Sequence, residues 1–169
     1  MSKVVAIVAC EEGHFRGVHA ALSIVAAEKK YLATIEAPAF DISSGYYRGI
    51  LATNFPFYVA LRESEVVGWC DVSSVFGGSR KHVGVLGMAL LPEYRHGGLG
   101  AKLMAAAVQH AWKLGLTRLT LTVRADNVNA RRLYKRFGFV EEGVLRNEFL
   151  VDGRYNDVVT MGLINQTEA

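Results

Sequence analysis

The stretch "LPEYRHGGLGAKLM", Leu91 to Met104, decides how the rest of the chain is read. An apolar run reaches Pro92; Glu93, Tyr94 and Arg95 follow, and His96-Gly97-Gly98-Leu99-Gly100 opens a segment with helical spacing. Backbone N–H groups in the first turn of a helix lack intrahelical acceptors and carry the positive end of the helix dipole. Glycines there let a bulky anion approach them. A strand, a glycine turn and a helix in this order describe a pyrophosphate cradle; the plain alternative is a tight turn with no ligand. The P-loop pattern is absent. The dinucleotide pattern Gly-x-Gly-x-x-Gly also fails, because the glycines stand at Gly97, Gly98 and Gly100.

Outward from the loop, Val83 to Leu90 reads as the preceding strand. Leu99, Leu103, Ala106, Ala107, His110 and Leu114 mark the following helix, which Gly115 ends. "LTRLTLTV", Leu116 to Val123, alternates as a strand. Ala130, Leu133, Tyr134 and Phe137 then give another helix, with Gly138 at its end. The first half predicts a strand at about Val4 to Ala9 and helices at about His14 to Ala33 and Phe40 to Ala52. A hairpin of Phe57 to Leu61 and Val66 to Val75 follows, around Arg62-Glu63-Ser64-Glu65. Phe139 to Val144 and Tyr155 to Leu163 are the closing strands, with a turn at Asp152-Gly153. The class is α+β: a β-α-β core with antiparallel strands at the edges.

With 169 residues, 51% apolar and 21% charged, the chain is expected to form one domain, 1–169, with a real core. No apolar run approaches the ~18 residues of a membrane span. The start, Met1 to Cys10, is short for a signal peptide, and Glu11 and Glu12 stand where a small-residue cleavage site is wanted; it reads as the first strand. Cys10 and Cys70 lie in apolar runs and are read as buried free thiols, which favours a reducing cytoplasm. A net charge of +3 suits a small anionic ligand and makes no case for nucleic acid. No His, Cys and Asp residues have metal-ligand spacing, so no metal is expected.

Arg95-x-x-Gly98-x-Gly100 resembles the acetyl-CoA loop of the GCN5-related N-acetyltransferases (GNAT superfamily), Arg/Gln-x-x-Gly-x-Gly/Ala after an apolar strand. One helix and one strand later, "NVNARRLYKRFGF", Asn127 to Phe139, resembles that superfamily's Asn-x-x-Ala-x-x-Leu-Tyr-x-x-x-Gly-Phe helix. The resemblance covers about Val83 to Val144. It implies the GNAT fold: a twisted, mostly antiparallel sheet of about seven strands flanked by about four helices. That sheet splays into a V between its fourth and fifth strands, Val83 to Leu90 and Leu116 to Val123, with acetyl-CoA, as co-substrate, in the gap.

The resemblance also implies residue roles. Met88, Ala89 and Leu90, with Gly87, stand where backbone groups meet the pantetheine and thioester; a fixed N–H suits an oxyanion. Arg95, His96, Gly97, Gly98, Leu99 and Gly100 would hold the pyrophosphate, with Lys102 adding charge. Asn127 and Asn129 would contact the cofactor arm, or simply cap a helix. Tyr134 matches the tyrosine near the thioester sulfur, where a phenol near pKa 10 can protonate a thiolate whose acid is near 8.5. Its bland reading is a core tyrosine. His110 reads as a surface or packing residue. Arg131, Arg132, Lys135 and Arg136 form a basic run, of which Arg132, Lys135 and Arg136 lie near one another on a helix and would approach the ribose 3′-phosphate or form a solvated face.

The general base is open. Relatives read Glu-Leu-Gly on the fourth strand, where this chain has Val85-Leu86-Gly87. Asp71 is the best-placed substitute, with Glu28, His82 or a water chain as alternatives. Glu28, Tyr31, Trp69 and Tyr155 are expected around the acceptor, among further aromatics, and such a pocket suits a cationic amine. The tail, Glu142 to Leu163, is similar to that of a bacterial subgroup acting on amino acids and analogues, protein N-termini and small amines. The expected activity is therefore acetyl transfer to a primary amine of a small molecule, by direct attack in a ternary complex. Acetylation of a protein N-terminus such as a ribosomal protein's, and a non-catalytic acetyl-CoA-binding module, are the alternatives. The family habit adds a possible homodimer.

Overall fold

The computed structural model describes residues 4–166, so Met1-Ser2-Lys3 of the opening stretch and the last three positions of the 1–169 span lie outside the described residues. The elements run β1 (Val5–Ala9), α1 (Phe15–Ala27), α2 (Phe40–Ala52), β2 (Phe57–Arg62), β3 (Glu65–Ser74) and β4 (Val83–Leu90). Then come α3 (Leu99–Lys113), β5 (Arg118–Arg124), α4 (Val128–Arg136), β6 (Val140–Val151) and β7 (Arg154–Ile164). All seven strands join one sheet in the order β1-β2-β3-β4-β5-β7-β6. Each neighbouring pair is antiparallel except β4 and β5. A parallel pair needs a crossover; α3 supplies it, filling the β-α-β unit expected from the glycine turn.

The period-2 alternation of the central strands loads both faces. On β3, Asp71 meets α2 through Tyr46. The Cys70 face looks the other way: its neighbour on β2, Tyr58, reaches His110 of α3. Val18, Ala21 and Val25 of α1 cover the first face, and Leu103, Met104, Ala107 and Ala111 of α3 the second; all are essentially inaccessible.

What positions the site is the failure of β4 and β5 to stay together. They pair only at Val83↔Arg118, Gly84↔Leu119 and Val85↔Thr120. At that joint a Cβ on Gly84 would clash with Val72 and press on Leu116 and Leu119, so only a glycine lets the layers meet there. Beyond Val85 the strands separate, leaving Leu86 to Leu90 with no partner on the β5 side.

Three boundaries differ from the sequence reading by more than one residue. The first helix stops at Ala27, not Ala33: the N–H groups of Glu28 and Lys29 turn to Val25 and Ala26, and Lys29 takes a left-handed φ of 54°. Glu28-Lys29-Lys30 offers no apolar residue to bury, so nothing draws the helix onward. The sixth strand runs to Val151, not Val144. Its register shifts at Glu141/Gly143 and Leu145/Phe149, and Asn147 has φ 56°, so the pairing continues while the alternation that would reveal it is broken. The fifth strand starts at Arg118, and Leu116 packs before it. Cys10 sits just past β1 with its N–H on the Phe57 carbonyl; both cysteines are buried free thiols. No helix among the described residues is long and apolar enough to cross a membrane.

Candidate active site

The open end of the V is a cleft of about 800 Å³. One wall is Leu86 to Leu90 of β4, the other Thr122 to Arg124 of β5 and Tyr134 of α4, and the floor is the start of α3. Met88, Ala89, Leu90, Arg95, His96, Gly98, Gly100, Asn127, Asn129 and Tyr134 all line it, as does Tyr31. Gly97 and Leu99 do not; Leu99 is buried under the turn.

The glycine turn has the backbone an anion needs. Gly98 is the N-cap of α3 at φ 79°, with no side chain capping the first N–H groups of the helix. His96 also adopts a left-handed φ, 64°, a strain expected where function fixes the backbone. A Cβ on Gly98 would meet nothing, so its own conformation, not crowding, demands glycine. Gly100 has another reason: a Cβ would lie 3.3 Å from Leu133 Cδ2 and Met88 Cε, and its absence lets α3 close on α4 and β4.

Asn127 is the N-cap of α4, its Oδ1 accepting from Ala130 N at 3.3 Å, and still lines the cleft. Arg131 pairs with Glu141, as does Lys135; Arg132, Lys135 and Arg136 face the cleft. His110 packs on Tyr58, sharing a hydrogen bond of 3.2 Å. Tyr134 is buried, and its hydroxyl bonds no protein group among the described residues. Burial, with the neighbouring Cys70, pushes its pKa up, so it stays protonated across the physiological range.

The carboxylates separate clearly. Asp71 lies directly across from Gly87, where a Cβ would be 3.5 Å from Asp71 Oδ1. The Tyr46 hydroxyl donates to Asp71 Oδ2 at 2.9 Å. Burial raises the Asp71 pKa from 3.8 to about 6, against hydrogen bonds from Tyr46 and Trp69 that lower it. Cys10 and Tyr47 nearby are both pushed to about 12, chiefly by burial, and Tyr46 is raised as well. Asp71 alone in this cluster changes charge near neutrality. Glu28 is different: hydrogen bonds from Arg95 hold its pKa below the ordinary value. His82 is exposed at the joined end of the V, away from the cleft. Val85 lies on the same face of β4 as Gly87, across from Ser73.

Of the residues expected around an acceptor, Trp69 belongs to the core, Tyr155 lies exposed near the β6–β7 turn and Glu28 is bound to Arg95; none of the three lines the cleft, and Asp71 stands behind Gly87, which does. Sequence reasoning passed over Arg124 and Phe149, which do. An arginine closing an apolar strand was the available signal for Arg124. Phe149 had none, since it lies on the irregular part of β6.

The pattern of the Acetyltransferase (GNAT) family matches residues 7–139. A Bacillus subtilis protein provisionally named a ribosomal protein bS18-alanine N-acetyltransferase is 28% identical over 123 residues, 70% of this chain and 79% of its own length. The L-amino acid N-acetyltransferase AaaT of Escherichia coli is 30% identical over 108 residues, 63% of this chain and 66% of its own. A phosphinothricin acetyltransferase from Sinorhizobium meliloti, solved with acetyl-CoA, superposes with a TM-score of 0.89 at 18% identity, over 95% of this chain and 88% of that one.

Proposed function

The chain belongs to the acetyltransferase (GNAT) family, and on that premise we propose that it transfers the acetyl group of acetyl-CoA to the primary amine of a small molecule, an amino acid or an analogue. The observation that carries this is the free edge of β4 inside the V. Backbone N–H and C=O groups between protein walls need partners, and a linear ligand bearing amides supplies them as a strand would. Uncapped N–H groups at the start of α3 suit its pyrophosphate, and Arg132, Lys135 and Arg136 suit a further phosphate.

Acetyl-CoA supplies the activated acetyl group as a thioester. The chain's own groups do the rest. Backbone N–H groups among Gly87 to Leu90 hold the thioester oxygen, pre-oriented and at no reorganisation cost. Asp71 takes the ammonium proton, past Gly87 or through the Tyr46 hydroxyl, which gives its own proton to Oδ2 as it accepts one. The family carboxylate absent at Val85 is thus replaced from the neighbouring strand. Tyr134 Oη donates to the departing sulfur.

The acceptor class rests on the likeness to the amino-acid enzyme. Acetylation of a protein N-terminus is the second reading, favoured by the likeness to the bS18-alanine enzyme. Thiol release from acetyl-CoA, measured against amino acids, analogues, polyamines and short peptides, tests both. Turnover with free amino acids and none with peptides is expected. Turnover with peptides alone selects the second reading, and none with any amine would sink the proposal.

A further inference from the structure

We infer, resting on the cofactor reading just given, that Glu28 and Arg95 are positioning residues which hold the segment 28–33 across the open end of the V. There it retains acetyl-CoA and fixes the acceptor side against it. Arg95 leads the glycine turn, where a phosphate role is expected of it, but its guanidinium is engaged elsewhere. Nη1 and Nη2 donate to the two Glu28 oxygens at 2.9 and 2.5 Å, and Nε donates to the Leu90 carbonyl at 3.0 Å. The Tyr31 ring lies 4.8 Å from the guanidinium carbon. Both charged side chains are only about one-fifth exposed, so water and salt screen the pair weakly.

The same segment is tied to the other arm. Arg124, at the end of β5, donates from Nη1 to the Lys29 carbonyl at 3.2 Å; its other nitrogens are held by Asp126 and Asn156. Lys29 Nζ in turn pairs with Asp152 in the β6–β7 turn at 2.8 Å. Two consecutive residues, Glu28 and Lys29, therefore join β4, β5 and the last hairpin just where β4 and β5 are farthest from mutual pairing. Tyr31, Leu32 and Ala33, next in the chain, line the cleft. The left-handed Lys29 turns the chain off the helix and into this bridge. Phosphate contact then falls to the backbone of the turn and to the basic face of α4.

The bridge and the direct phosphate role predict opposite signs. Stopped-flow release of coenzyme A is measured for the unaltered protein, Glu28→Gln, Arg95→Gln and the double variant, with Tyr31→Ala as a change that loosens Arg95 without touching the ion pair. If the pair holds a bridge, Glu28→Gln speeds release about tenfold with association changed little. Tyr31→Ala speeds release in the same direction, and the double variant is no worse than the worse single one. If Arg95 serves the phosphates, Glu28→Gln frees its guanidinium and slows release, which overturns the inference. So does an unchanged release rate in both Glu28→Gln and Tyr31→Ala. The KM for the acceptor should rise in Glu28→Gln while the acid limb set by Asp71 keeps its midpoint, a split that general loosening would not give. Failure of the unaltered protein to bind coenzyme A would sink the proposed activity and the bridge together, and is distinct from binding with unaltered release.

Discussion

Replacing Asp71 by Asn should make the protein more stable and nearly inactive at the same pH. The folded protein binds a proton at Asp71 more tightly than the unfolded chain, with a pKa near 6 against 3.8. A raised carboxyl pKa contributes stability that is fully present below the unfolded value and is lost as pH rises through the folded one. At pH 8 the native state therefore carries the whole cost of burying the charge. The difference between about 6 and 3.8 corresponds to at most about 3 kcal/mol at 1.36 kcal/mol per unit. Asn is neutral, near in size, and still offers one oxygen to Tyr46 and Trp69, the two donors that serve the carboxylate. Urea denaturation at pH 8 should show Asp71→Asn more stable by about 1–3 kcal/mol, the gain shrinking as pH falls through about 6 and vanishing below about pH 3. Transfer should fall about 10²- to 10⁴-fold, and the acid limb of kcat/KM, centred near pH 6 in the unaltered protein, should vanish. A variant destabilised equally at pH 8 and pH 4 would refute the buried-charge argument. One with full activity and an intact acid limb would remove Asp71 from the chemistry.

Tyr134→Phe should lower kcat by about 10²-fold with coenzyme A affinity unchanged, because the hydroxyl bonds no protein group among the described residues; calorimetric titration beside steady-state rates checks this. Gly98→Ala should cost about 1 kcal/mol in thermal unfolding and weaken coenzyme A, since φ 79° strains any side chain. Val85 is 37% exposed on the Gly87 face, so Val85→Glu should fold normally and restore part of the rate to Asp71→Asn. No rescue would mean that this face of β4 cannot deliver a base.

The parts of this molecule legible in its sequence are those fixed by local rules. The helix of α3 follows from Leu99, Leu103 and Ala107 on one face and Gly98 at its start, and β5 from strict alternation up to Val123. The cleft follows from the turn and the Asn127 helix together. What was not legible depends on side chains that meet across long stretches of chain. Nothing near Glu28 announces Arg95, and that pairing with the turn at Lys29 fixes a helix end at which the polar Glu28-Lys29-Lys30 only hints. Trp69 and Tyr155 look equally suited to a binding wall; one is core and the other exposed, which aromatic character cannot distinguish. The length of β6 was hidden because shifts of register erase the alternation by which a strand is recognised.

The three-pair joint between β4 and β5 makes this fold's activity compete with its own sheet. Each further rung between the strands would satisfy two arms of backbone at once and remove a place for the ligand to pair. Substitutions that lengthen the joint should therefore yield proteins that melt higher and bind less, a trade set by backbone geometry before any side chain is chosen. The crowding around Gly84 works against that drift, because it holds the layers where the strands must begin to part.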